Sequence, residues 1–112
     1  MSEPSVEKWI AATQHIGESA DELNARIGLL GDFFTYIDKR PDEWVAYCFL
    51  RKKDTGERFV STQRRKDVNE QIELFAAAQG WTGKLEVVNG NRIRSFLIHN
   101  GIPMGNRVWT GG

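Results

Sequence analysis

Residues 84–99 have the sequence KLEVVNGNRIRSFLIH, and this stretch determines how many strands the chain is predicted to contain. Its centre, residues 89–91 (NGN), combines residue types that favour tight turns, and apolar residues lie on both sides of it. A three-residue loop at this position would place Glu86 opposite Arg94, a pairing of opposite charges that favours adjacent strands. The stretch therefore predicts a β-hairpin.

Another hairpin is predicted farther upstream. Residues 44–50 (WVAYCFL) are apolar at odd and even positions alike, which is typical of a central strand covered on both faces. Residues 53–57 (KDTGE) follow as a loop in which Gly56 can adopt a positive φ. Residues 58–63 then return as a more polar strand.

Helices are predicted from their end signals. Ser5 can begin a short helix, and Ser19 with an acid three residues later forms the capping box of a longer one that stops before Pro41. Asp67 can cap a third helix. Gly80 suits the left-handed residue that ends it in a Schellman motif.

The predicted fold class is α+β, with the element order α-α-β-β-α-β-β. Residues 1–112 are expected to form a single domain, because two smaller pieces would each bury too little apolar surface. Within it, residues 1–41 form an acidic helical pair and residues 42–99 form two β-hairpins around a helix. Residues 100–112 form an irregular tail. We expect a mainly antiparallel four-stranded sheet with the helices packed on it.

Charge is divided unequally along the chain. Residues 1–46 contain nine acids and four bases, a net charge of −5, and residues 47–112 contain eleven bases and six acids, a net charge of +5. Such an asymmetry indicates a polyanionic partner for the basic half. The run RRK at residues 64–66 is the most informative part, since cations at the start of a helix oppose its dipole.

The leading hypothesis is a non-catalytic nucleic-acid-binding protein, DNA or RNA, that contacts the phosphate backbone with little sequence preference. The predicted contact residues combine cations with one aromatic ring: Arg51, Lys52, Lys53, Arg58, Arg64, Arg65, Lys66, Trp81, Arg92, Arg94 and Arg107.

The alternative is a protein–protein interaction module such as an adaptor, inhibitor or small regulator. The second predicted helix has an apolar stripe wider than one neighbouring layer usually covers. Its second row, Leu29, Phe33 and Tyr36, is the predicted partner interface, either in a homodimer or with another protein. The basic half would then meet an acidic protein.

Catalysis, metals and cofactors are not expected. His15 and His99 are the only histidines, and no spacing typical of a zinc site, a nucleophile or a phosphate-binding loop is present. Cys48 is the only cysteine and lies in an apolar run, where a thiol is usually inert. A lone cysteine, no signal-peptide pattern and no long apolar segment favour a cytoplasmic protein without a membrane span.

The predicted ββαββ order of residues 42–99, together with the terminal sequence Thr110-Gly111-Gly112, resembles ubiquitin-like β-grasp domains. That resemblance implies a modifier or a sulfur carrier whose last glycine is activated. The two N-terminal helices depart from the β-grasp pattern.

Overall fold

A computed structural model describes residues 3–15 and 17–105, and it is mostly helical. Of these residues, 67% are in helices and 6% in strands, so the predicted four-stranded sheet is wrong. The elements are α1 (Pro4–Thr13), α2 (Ala20–Ile37), α3 (Pro41–Tyr47), β1 (Phe49–Arg51), β2 (Arg58–Val60), α4 (Thr62–Ala78) and α5 (Gly83–Ile98).

The largest correction concerns the second predicted hairpin, which is the continuous helix α5. Relative to alanine, the sequence Asn89-Gly90-Asn91 costs a helix about 2 kcal/mol in intrinsic propensity. Burial outweighs this cost, because four apolar side chains of the helix are removed from water and each contributes about 1.5–3 kcal/mol. These side chains are Val87, Ile93, Phe96 and Leu97.

The predicted central strand over residues 44–50 is also wrong in its first part, which belongs to α3. Pro41 occupies the first turn of α3, and the main-chain N–H of Arg40 donates to Glu43 Oε1 at 3.2 Å. Both features favour a helix start. Trp44 and Cys48 are buried one helical turn apart, so a run apolar at every position is divided between a helix and a short strand.

The turn of the first predicted hairpin is confirmed. β1 and β2 pair antiparallel with Phe49 opposite Val60, and Gly56 has a φ of 71° in the connecting loop. Each strand has only three residues, because β2 ends where α4 begins.

Helix α4 begins six residues earlier than predicted, because its cap is Ser61 and not Asp67. Ser61 caps it, accepting a hydrogen bond from the main-chain N–H of Arg64 at 3.2 Å. The predicted Schellman ending is confirmed, since Trp81 N–H donates to Ala76 O at 3.1 Å and Gly80 has a φ of 72°.

The two N-terminal helices are confirmed, with changed ends. Helix α1 starts at Pro4 after Glu3 rather than at a Ser5 cap. Ser19 caps α2 as predicted, accepting from Glu22 N–H at 3.0 Å, and α2 ends at a left-handed Asp38.

Helix α5 lies at the centre of the packing, in contact with α1, α2 and α4, while α1 also packs against α3. Phe33 is the centre of an aromatic cluster, with its ring 4.9–5.4 Å from those of Phe34, Trp44 and Phe75. The residues after α5 up to 105 have no helix or strand, although Ile102 is buried in the core. The β-grasp element order is absent from the described residues, and the terminal glycines lie outside them.

Candidate nucleic-acid interface

Residues 51–66, here called the basic segment, concentrate the positive charge of the chain. They include seven of the 15 bases and two of the 15 acids, a net charge of +5, so the rest of the sequence carries −5. The segment consists of the end of β1, the hairpin loop, β2 and the first five residues of α4. Its seven cations are Arg51, Lys52, Lys53, Arg58, Arg64, Arg65 and Lys66.

The hairpin and the start of α4 are held to each other at their base. Ser61 N–H donates to Cys48 O at 2.9 Å, which joins the end of β2 to the residue before β1. Arg64 Nη1 donates to Tyr47 O at 3.0 Å across the same junction. Phe49 and Val60 pack against the core and anchor the hairpin, so the cations of both elements occupy one continuous region.

The arginines of the basic segment contact neutral groups. Arg51 Nη1 donates to Gly56 O at 3.0 Å, and Arg65 Nη1 donates to Pro103 O at 3.1 Å. The guanidinium of Arg58 lies 3.6 Å from the centre of the Phe49 ring. The guanidinium of Arg64 lies 4.6 Å from the centre of the Tyr47 ring. These contacts orient the guanidinium groups without neutralising them.

Only one cation of the segment pairs with a carboxylate among the described residues. Lys52 Nζ lies 3.7 Å from Glu57 Oε2, and both side chains are more than half exposed, so the pair contributes little. Two arginines of the acidic half differ in this respect. Arg26 binds the Glu18 carboxylate through two nitrogens at 2.9 and 3.0 Å, and Arg40 Nε lies 3.6 Å from Glu3 Oε1.

Three other predicted contact residues of the described part of the chain lie outside the basic segment. Arg94 is 2% exposed, and its Nε donates to Asn69 Oδ1 at 2.9 Å inside the α4–α5 interface. Arg92 is exposed on α5 and donates to Asn89. Trp81 is half-buried with its ring edge-on to Phe75, as expected for a helix-ending residue. Arg107 lies outside the described residues.

The predicted partner interface on α2 is mostly interior. Phe33 is completely buried, and Leu29 is half-buried against the core, so neither offers its whole side chain to a partner. Tyr36 is 47% exposed, and its ring packs on Phe75 at 5.3 Å. Phe33 and Tyr36 both pack on Phe75 of α4, and the periodicity of α2 alone does not specify these contacts.

Two aromatic residues near the basic segment were not identified from the sequence. Tyr47 and Phe59 are 41% and 39% exposed. The sequence pattern predicts Tyr47 in a strand buried on both sides and Phe59 in a more polar strand. The exposure of Phe59 could have been inferred from the alternation of a strand, because Val60 faces inward and its neighbour must then face outward.

A groove of about 580 Å³ lies beside Tyr47, between the end of α2, α3 and α4. Tyr47 Oη donates to Asp67 Oδ2 at 3.1 Å, and this hydrogen bond raises the pKa of the Tyr47 hydroxyl. The floor includes Trp44 and Val68, and the rim includes Lys39 and Asp67. A rim with both signs of charge favours no single sign of ligand.

Cys48, the one cysteine of the sequence, is buried. Burial raises the pKa of the Cys48 thiol to about 11, so it is protonated and inert at neutral pH. No group of three His, Cys, Asp or Glu side chains within residues 3–15 and 17–105 is arranged to hold a metal ion. Within the same ranges, no helix combines the length and apolarity that a membrane crossing requires.

Comparison of the chain with protein-family models, with curated proteins and with solved structures found no match.

Proposed function

We propose that this protein binds nucleic acid without catalysis and that the basic segment is its contact surface. The observation that carries the proposal is the pattern of arginine contacts. Arg51, Arg58, Arg64 and Arg65 are oriented by carbonyl oxygens and aromatic rings, so their charge remains available to phosphate groups.

Two local conflicts support the same conclusion. Arg51 and Arg58 are directly opposite each other across the hairpin, where like charges are destabilising. Arg64 and Arg65 stand in the first turn of α4, which contains no acid, although the helix dipole disfavours cations there. An anionic partner relieves both conflicts at once, and a repeating polyanion relieves them along the full length of the segment.

Salt dependence of binding is the primary test. A fluorescein-labelled 20-nucleotide DNA would be titrated with the full chain at 50 mM and 200 mM NaCl, with fluorescence anisotropy as the readout. On a plot of log affinity against log salt concentration, each phosphate of a single strand that the protein contacts makes the negative slope steeper by about 0.7. Contacts to four phosphates would therefore weaken binding about 50-fold between these conditions.

Charge-reversal variants identify the surface. Lys53 lies at the tip of the hairpin, and Lys53→Glu is expected to weaken binding and to reduce the dependence of the affinity on salt concentration. Lys84→Glu is the matched control, because Lys84 lies in the first turn of α5, beyond the far end of α4, which is a helix about 25 Å long. Absence of binding at 50 mM NaCl, or equal losses from both variants, would contradict the proposal.

A further inference from the structure

The hairpin has an inner and an outer face with different roles. Phe49 and Val60 form a cross-strand pair on the inner face and pack against the core. Successive side chains of a strand point to opposite faces, so the next pair, Leu50 and Phe59, points away from the core. Phe59 is 39% exposed, which places an apolar ring on the outer face of the most basic part of the chain.

Phe59 differs from the other aromatic residues of this region. The rings of Tyr47 and Phe49 are each covered on one side by a guanidinium, that of Arg64 and that of Arg58 respectively. In the described part of the chain, Phe59 has no aromatic or cation–π partner. The exposed part of its ring is therefore not covered by another ring or by a guanidinium.

The strands themselves offer little for reading base edges in a duplex groove. Such reading uses hydrogen-bonding side chains such as Asn, Gln and Arg. The outward-facing strand residues are Leu50 and Phe59, and the two strand arginines continue the inner face. An exposed aromatic ring within a segment that carries seven cations instead matches single-stranded nucleic acid, whose unstacked bases stack on rings while cations hold the phosphates.

We infer that the nucleic acid bound by this protein is single-stranded and that Phe59 stacks on one of its bases. The inference rests on the proposed function. The cations of the basic segment hold the flanking phosphates, and Leu50 widens the apolar platform beneath the base. Because every base has a planar face, such binding tolerates different sequences.

The test uses Phe59→Leu, which removes the aromatic face and keeps the apolar bulk, together with Phe59→Ala. Leu85→Ala is the matched control, since Leu85 is 54% exposed on α5. The probes are one fluorescein-labelled 20-nucleotide DNA as a single strand and the same sequence as a duplex. Circular dichroism and melting curves would verify that each variant is folded.

We expect the wild-type chain to bind the single strand more tightly than the duplex. Phe59→Ala and Phe59→Leu should weaken single-strand binding roughly 5- to 150-fold, the range for loss of one stacked base, with an unchanged salt slope. Leu85→Ala should bind like the wild type.

The failures of the two proposals are distinguishable. Salt-dependent binding that is unaffected by Phe59→Leu, or that is equally tight for the duplex, overturns the stacking inference and leaves the proposed function standing. Absence of salt-dependent binding by the wild-type chain overturns both.

Discussion

Gly90 and Gly28 both lie inside helices, and the same substitution is expected to have opposite effects at the two positions. Alanine is favoured over glycine in a helix interior by about 1 kcal/mol. At Gly28 an added Cβ meets no atom within 4 Å, so Gly28→Ala should raise the free energy of unfolding by up to that amount. At Gly90 the added Cβ would lie 2.9 Å from Arg94 Nη1.

The guanidinium of Arg94 has little freedom to move away from a Cβ at position 90. It is 2% exposed, Nε donates to Asn69 Oδ1 at 2.9 Å, and Nη1 donates to Asn91 Oδ1 at 3.1 Å. A hydrogen bond made by a charged group contributes about 1.5–3 kcal/mol, so weakening both bonds costs more than the propensity gain. We expect Gly90→Ala to destabilise the fold by about 1–2 kcal/mol.

Thermal unfolding followed by circular dichroism measures the difference. For a domain of this size 1 kcal/mol corresponds to about 4 °C in Tm, so Gly28→Ala should melt about 2–4 °C higher and Gly90→Ala about 4–8 °C lower. Replacing Arg94 by Met in both backgrounds completes a double-mutant cycle, in which Gly90→Ala should lose its penalty. A Gly90→Ala variant that gains as much stability as Gly28→Ala would refute the reasoning.

Three further predictions concern the interior. Phe33→Ala should lower the free energy of unfolding in urea by about 3–5 kcal/mol, because Phe33 is fully buried. Tyr36→Ala should lower it by about 1 kcal/mol or less. Similar losses from the two variants would contradict the assigned burial. Glu18→Gln should cost about 2 kcal/mol because the Glu18 side chain is 4% exposed beside Arg26, while Glu57→Gln should cost under about 1 kcal/mol. Cys48 should react with a thiol reagent at pH 8 only at the rate of unfolding. Since burial raises the pKa of the thiol from 9.0 to about 11, the contribution of the buried thiol to stability is complete below pH 9 and is lost as the pH rises to 11. Fast labelling of Cys48 in the native protein would argue against its burial.

Several local features could be predicted from a few neighbouring residues. Ser19 caps α2 through an N–H three residues away, and Gly80 with Trp81 ends α4 through bonds that span six residues. Gly56 takes the positive φ that its loop requires. These features are specified locally, because the residues that form each cap or turn lie within six positions of one another.

The path of residues 84–98 was not decided locally. Relative to alanine, Asn89-Gly90-Asn91 disfavours a helix by about 2 kcal/mol, a cost smaller than the stabilisation from burying the apolar side chains around it. That burial exists only because α1, α2 and α4 pack against the same segment. A helix and a hairpin of this sequence differ mainly in contacts with distant residues, so the local pattern favoured the wrong element.

The sequence by itself determined the Ser19 cap of α2, the Gly80–Trp81 ending of α4, the first hairpin turn and the concentration of positive charge in residues 51–66, because each depends on residue types at short spacing. The tertiary structure alone decided that Phe33 and Arg94 are interior and that Phe59 faces outward. It also decided that the arginines of the basic segment meet neutral oxygens and rings. Burial and pairing depend on side chains far apart in the sequence, and their energies exceed the local preferences that a sequence displays.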